Sequence, residues 1–240
     1  MSGRRRAFLL IINKLKKELR KKQDKEKAKF LARFFKTGKG EYGEGDVFLG
    51  ISVPEQRKTA KKFFKEASLK DLKELLRSKI HEFRLTALII LVEKYKKAGE
   101  KEKIFNFYLD NTKRINNWDL VDLSAPNIAG DYLLDKDRKI LFSLARSKNV
   151  WERRIAVLST FAFIRRNQFE EALKLAEILL IDKHDLIHKA TGWMLREVGK
   201  RDKKREKEFL ERFCSKMPRT MLRYAIEKFE DKERAKFLRS

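Results

Sequence analysis

The chain has 240 residues and a mass of 28.6 kDa, with 60 Lys and Arg against 35 Asp and Glu, a net charge of +25 and an isoelectric point near 10.1. Hydrophobic residues still make up 42% and 18 residues are Phe, which is too apolar for a disordered basic tail. The single cysteine, Cys214, excludes an internal disulfide framework and a multi-Cys zinc site, and the charge implies a polyanionic partner, most simply nucleic acid.

Only 3 Pro and 10 Gly interrupt a sequence rich in Leu, Lys, Glu, Arg and Ala, and apolar residues recur at three- and four-residue steps. Both features predict an all-α protein. A basic helix is expected from Arg4 to Lys36, as a cap at about residues 1–36. Residues 1–36 carry 14 Lys/Arg and 3 Asp/Glu. The apolar stretch Ala7 to Ile12 after Arg4, Arg5 and Arg6 is too short for a signal peptide. The run Leu85 to Val92, broken by Thr86, falls well short of the roughly 18 residues of a membrane span. A soluble, cytoplasmic, nucleoid-associated protein is expected.

Thr37 to Phe48 is the one long irregular stretch expected. It contains Gly38-Lys39-Gly40-Glu41-Tyr42-Gly43, a literal G-x-G-x-x-G. No strand is expected before it, so it reads as a chance match. Later boundaries are expected at Ser52-Val53-Pro54, Ala67-Ser68, Ala98-Gly99, Ser124-Ala125-Pro126, Ser147-Lys148-Asn149, Ile181-Asp182-Lys183, Val198-Gly199 and Ser215-Lys216-Met217-Pro218. Pro54 and Pro218 suit first helical turns, with Ser52 and Ser215 as nearby caps.

Four apolar helical segments carry a central alanine: Ala87, Ala156, Ala190 and Ala225. The spacings are 69, 34 and 35 residues, and the unit skipped in the first gap falls near Val121-Asp122. A period near 35 predicts helical hairpins stacked as a solenoid, and the missing TPR signature favours HEAT-like repeats. The expected architecture is one domain, residues 1–240, of HEAT-like hairpins in a curved superhelix.

Residues 101–135 are mildly acidic, with 4 Lys/Arg and 6 Asp/Glu. Within them Trp118 and Asp122 stand at i and i+4 and share one helix face, with Asp119 about 100° away. An aromatic ring beside a carboxylate is a pair that attracts cations. A core tryptophan and a capping or Arg-paired aspartate fit the same spacing. Trp151-Glu152-Arg153-Arg154 opens a helix with paired arginines, suited to phosphate contact or to ordinary surface charge. Gly192 beside Trp193 costs about 1 kcal/mol in a helix and implies close approach of another helix or a ligand backbone. His184 and His188, at i and i+4, lack a third ligand and read as a hydrogen-bonded or solvated pair rather than a metal site. Cys214 reads as a buried small apolar residue.

The stretches Asn117-Trp118-Asp119-Leu120-Val121-Asp122, Trp151-Glu152-Arg153-Arg154-Ile155-Ala156 and Lys189-Ala190-Thr191-Gly192-Trp193-Met194-Leu195-Arg196-Glu197 resemble those of the AlkD-like DNA glycosylases. Phe48-Leu49-Gly50-Ile51-Ser52-Val53-Pro54-Glu55-Gln56-Arg57 is similar to that family's Phe-x-Gly-x-x-x-Pro-x-x-Arg pattern. The resemblance runs from about residue 25 to the C-terminus. It implies a HEAT-like-repeat enzyme that hydrolyses the N-glycosidic bond of cationic N3- or N7-alkylated purines in double-stranded DNA. It also implies that Trp118, Asp122 and Trp193 line the cleft at the lesion while Arg154, with Arg153 beside it, holds the DNA backbone. No metal or other cofactor is implied, and the protein is expected to act as a monomer. A non-catalytic HEAT-repeat protein that binds damaged or branched nucleic acid is the alternative. The Trp118, Asp122 and Trp193 set discriminates, because a pure phosphate binder does not need it.

Overall fold

The computed structural model describes residues 3–97 and 99–239, and side chains from residue 11 onward. In chain order its α-helices are α1 (Gly3–Arg20), α2 (Lys25–Phe34), α3 (Val53–Phe63), α4 (Leu69–Leu76), α5 (His81–Lys97), α6 (Lys101–Asp110), α7 (Trp118–Ser124), α8 (Lys139–Ala145), α9 (Val150–Ile164), α10 (Glu170–Ile178), α11 (Asp185–Gly199), α12 (Lys203–Phe213), α13 (Arg219–Ala225) and α14 (Asp231–Arg239). Short 3-10 turns and one π turn (Pro126–Gly130) link them. Among the described residues no strand forms, and a lone parallel bridge pairs Val47 with Ile80. The protein is all-α, built of helical hairpins as in an α-α solenoid.

The helices gather into two compact units, Met1–Ser124 and Ala125–Ser240. In the first, α1 packs on α3 and α4, these two pack on α5, and α5 packs on α7. The sequence of α5 is apolar nearly all round, and such a helix can only be central. Phe83, Leu88, Ile90, Leu91 and Tyr95 are fully buried there. Helix α4 starts with a capping box: Ser68 accepts from the Asp71 N–H and Asp71 accepts from the Ser68 N–H. In the second unit α8 and α10 pack on α9, α10 and α12 on α11, and α9, α11 and α13 stack successively.

The 35-residue period is real. Ala87, Ala156, Ala190 and Ala225 lie buried in α5, α9, α11 and α13, each the second helix of a hairpin. The skipped repeat is α7, with Leu120 and Val121 fully buried.

Three local expectations are corrected. The basic N-terminal helix is two helices, because Asp24 leaves helical geometry (φ −135°, ψ 111°) and caps α2 by accepting from the Lys27 N–H at 3.0 Å. The Asp24 N–H also donates to the Leu49 carbonyl, which ties the break to the irregular loop. Pro218 lies one residue before α13, and Ser215 is part of the 3-10 turn Cys214–Lys216 and caps nothing. Cys214, in that same turn, is only half-buried. The expected boundary residue Ala98 lies outside the described residues, between α5 and α6.

Candidate functional site

In the first unit Trp118 opens α7, and its backbone N–H donates to Asn117 Oδ1 at 2.8 Å. The indole is half-buried. It stacks on Phe35 (centroids 5.1 Å apart, planes 13° apart) and meets the edge of Phe34 at 6.0 Å. The stack continues from Phe35 to Phe48 at 5.0 Å and from Phe48 to the His81 ring at 4.6 Å. Phe34 is exposed, so the indole stands at an aromatic edge of the unit. Asp122 lies one helical turn beyond Trp118 and is half-buried. The phenol of Tyr108 is pushed well above the ordinary value, first by complete burial and further by the negative charge of Asp122, against a hydrogen bond with Ser124.

Beneath the stack lies a charged cluster. His81 is hydrogen-bonded through Nε2 to Asp119 Oδ2 at 2.7 Å and through Nδ1 to Asp46 Oδ2 at 3.2 Å. Arg84 donates from Nη2 to the same Asp46 oxygen at 2.6 Å and from Nη1 to the Ser78 carbonyl. One residue on from His81, the buried Glu82 carboxylate accepts from the N–H groups of Leu49, Gly50 and Ile51 at 2.8–3.2 Å. Those bonds clamp the segment that carries Phe48. Gly50 has φ +81°, and a Cβ there would stand 2.1 Å from the Asp24 carbonyl oxygen, so only glycine fits.

In the second unit Trp193 is half-buried on α11. Its Nε1–H donates to Glu197 Oε1 at 3.1 Å, and its ring meets Phe161 at 5.8 Å. Gly192 beside it is explained by helix packing. A Cβ there would lie 2.3 Å from the Met221 carbonyl oxygen and 2.6 Å from Tyr224 Cβ, so α13 crosses directly over it. Arg154 is buried and donates from Nη1 to the Leu186 carbonyl at 2.6 Å. Arg153 donates from Nε to Asp182 Oδ2 at 2.6 Å and from Nη1 to the Ser147 and Lys148 carbonyls. Thus Arg154 meets the first turn of α11, Arg153 meets the loops before α9 and α11, and a phosphate contact by Arg153 would have to displace Asp182. Arg153 and Asp182 also line an open cavity of about 600 Å³ together with Arg146, Ser147, Lys183 and His184.

A model of the DNA alkylation repair enzyme family matches residues 15–229. The chain belongs to the DNA alkylation repair enzyme family. Among solved structures, a predicted DNA alkylation repair enzyme from Enterococcus faecalis is similar over 88% of this chain and 98% of its own, at 17% identity and a TM-score of 0.69. AlkD2 from Streptococcus mutans is similar over 85% of this chain and 99% of its own, at 19% identity and a TM-score of 0.56. The smu.31 protein of Streptococcus mutans UA159 covers 85% and 100%, at 19% identity and a TM-score of 0.55. Identities this low establish the shared fold. No curated protein sequence matches the chain.

In this member of the alkylation repair family the other sequence motifs have local explanations. The G-x-G-x-x-G loop has its amides filled by its own acids: Gly38 N–H donates to Glu41 and Gly40 N–H to Glu44, both at 2.8 Å. The Nδ1 of His184 accepts from the Leu186 N–H and caps α11, and His188 Nε2 is hydrogen-bonded to the Asp182 carbonyl. Among the described residues no three His, Cys, Asp or Glu gather as a metal would require, and no helix is long and apolar enough to cross a membrane. Sequence reasoning missed Phe34, Phe35, Asp46, His81 and Arg84. Their signal is weak because they come from a helix, a loop and another helix, and only folding brings them to Asp119.

Proposed function

We propose that this family member is a DNA glycosylase that hydrolyses the N-glycosidic bond of cationic N3- or N7-alkylated purines in double-stranded DNA. The observation that carries the proposal is Trp118. It is a half-buried indole mounted on the edge of an aromatic stack, with the Asp122 carboxylate one turn away on the same helix, inside an acidic segment of a strongly basic protein. A core tryptophan needs no such exposure, and a phosphate binder needs no such carboxylate.

An alkylated purine carries positive charge and is already a good leaving group. Bond cleavage leaves an oxocarbenium-like sugar, the charge type met in glycoside hydrolysis. Asp122 would stabilise that cation and orient the attacking water. The faces of Trp118 and Trp193 would add about 0.5–2 kcal/mol each. A neutral purine gains less from this field and leaves more slowly, so charge itself selects the substrate. Arg154 is assigned to the DNA backbone, its guanidinium held still by Leu186. Arg153 is assigned beside it and must exchange Asp182 for a phosphate to act. Water is the second substrate, the protein acts as a monomer, and its place is the cytoplasm, on chromosomal DNA.

Asp122→Asn tests the proposal in single-turnover excision of N7-methylguanine, read as released base. The rate is expected to fall on the order of a hundredfold, with duplex affinity nearly unchanged. Excision at the wild-type rate would remove Asp122 from the chemistry. A wild-type protein that binds methylated duplex and releases no base would instead favour the non-catalytic DNA binder.

A further inference from the structure

The charged cluster beneath Trp118 is given no part in the glycosidic chemistry proposed above, yet it is built around one titratable ring. His81, Asp46 and Arg84 are 2–4% exposed in their side chains, and Asp119 is 17% exposed. With the imidazole protonated, two carboxylates face two cations and the cluster is neutral. With the imidazole neutral, one negative charge is left over in a buried place, which is costly. Two connections run from this ring to the indole. One is covalent: Asp119, the partner of Nε2, is the residue after Trp118. The other is the stack. The His81 ring lies 4.6 Å from Phe48 and 5.0 Å from Phe35, and Phe35 carries Trp118.

We propose that His81 is a positioning residue for Trp118: as an imidazolium it ties the first turn of α7 to Asp46 and Arg84 and terminates the ring stack that holds the indole. The inference rests on the assignment of Trp118 to the site. An imidazolium over phenyl faces is also attractive in its own right. The groups that face His81 are Asp46 from the loop before α3, Asp119 from α7 and Arg84 from α5 itself; Glu82 turns instead to the amides of residues 49–51. Burial by itself would discharge the ring. The attraction of Asp119 and the hydrogen bonds that the ring donates to Asp119 and Asp46 outweigh burial and the repulsion of Arg84, so His81 is held above its ordinary 6.5. Burial likewise works against the Asp46 carboxylate, but His81 and Arg84 hold it below its usual range. A raised histidine contributes its full stabilisation below about pH 6.5 and loses it as pH rises through the folded value. Trp118 is therefore released on the alkaline side.

The experiment uses the full chain labelled with 5-fluorotryptophan, whose three resonances are assigned by Trp→Phe variants. Between about pH 5.5 and 9 the Trp118 resonance is expected to titrate with one midpoint above 6.5, while Trp151 and Trp193 do not follow it. In His81→Gln, its folding checked by circular dichroism, that titration disappears. Asp119→Asn serves independently: loss of the carboxylate that most favours the charged ring lowers the midpoint. A Trp118 resonance that is flat with pH, the same titration in folded His81→Gln, or an unmoved midpoint in Asp119→Asn overturns the proposal. In excision of N7-methylguanine the wild-type rate is expected to fall at the same midpoint. His81→Gln is expected to be slower by on the order of tenfold at unchanged duplex affinity. A wild-type protein that excises nothing but shows the fluorine titration loses the glycosylase reading and keeps the positioning one.

Discussion

The two units each present a half-buried tryptophan on the second helix of a hairpin, and they hold it by different physics. Trp118 is held by ring stacking over a buried ion cluster, with its neighbouring loop clamped by the Glu82 carboxylate. Trp193 is held by one hydrogen bond to Glu197 and by the close crossing of α13 over Gly192. The first arrangement depends on charge and so on pH. The second depends chiefly on the space between two backbones, which is set by the close crossing at Gly192 and not by a buried ion cluster. A repeat architecture thus preserves the crossing of helices while leaving each site free in how its side chains are fastened.

The contrast can be broken most directly at the crossing. Gly192→Ala puts a methyl 2.3 Å from a backbone oxygen, and backbone cannot step aside cheaply. A loss of about 3 kcal/mol is expected, equal at pH 6 and pH 8.5 in urea unfolding. A loss under about 0.5 kcal/mol would show that α13 does not cross as closely as described.

In the first unit Glu82→Gln keeps the volume but gives up the charge that faces three backbone amides. A loss of about 2 kcal/mol is expected, together with faster amide hydrogen exchange at Leu49, Gly50 and Ile51. Unchanged exchange at those three amides would mean that the clamp does not hold the loop.

The effect that varies most with pH is expected at Glu206 on α12, which is buried against Gly199, with its carboxyl pushed up to about 8 by burial despite the opposing charges of Lys203 and Arg196. A raised acid binds its proton more tightly folded than unfolded, so wild-type stability falls as pH climbs from about 4.5 through about 8. Glu206→Gln imitates the protonated form. Its melting temperature is expected to match wild type near pH 5 and to exceed it at pH 9. Parallel melting curves from pH 5 to 9 would place the titration elsewhere.

Much of this was legible in the residues. The 35-residue recurrence of a central alanine locates α5, α9, α11 and α13, because close helix crossing admits only small side chains and therefore marks the sequence. The Trp118–Asp122 spacing is legible for a similar reason: it lies within one helical turn. The break at Asp24 was missed because its cause is partly distant, in the Leu49 carbonyl. The protein partners of Arg153 and Arg154 were not legible, because arginines opening a helix look alike whatever lies thirty residues away in the chain.

The sequence by itself determined the all-α class, the repeat and the aromatic-acidic segment around Trp118 and Asp122, since each is a pattern written within a few helical turns. Only the tertiary structure decided that His81 lies between Asp46 and Asp119 under a ring stack, and that Gly192 answers to α13. Those contacts join residues more than 25 positions apart, and the cost of burying charge or of opening a void is felt only where the chain has closed on itself.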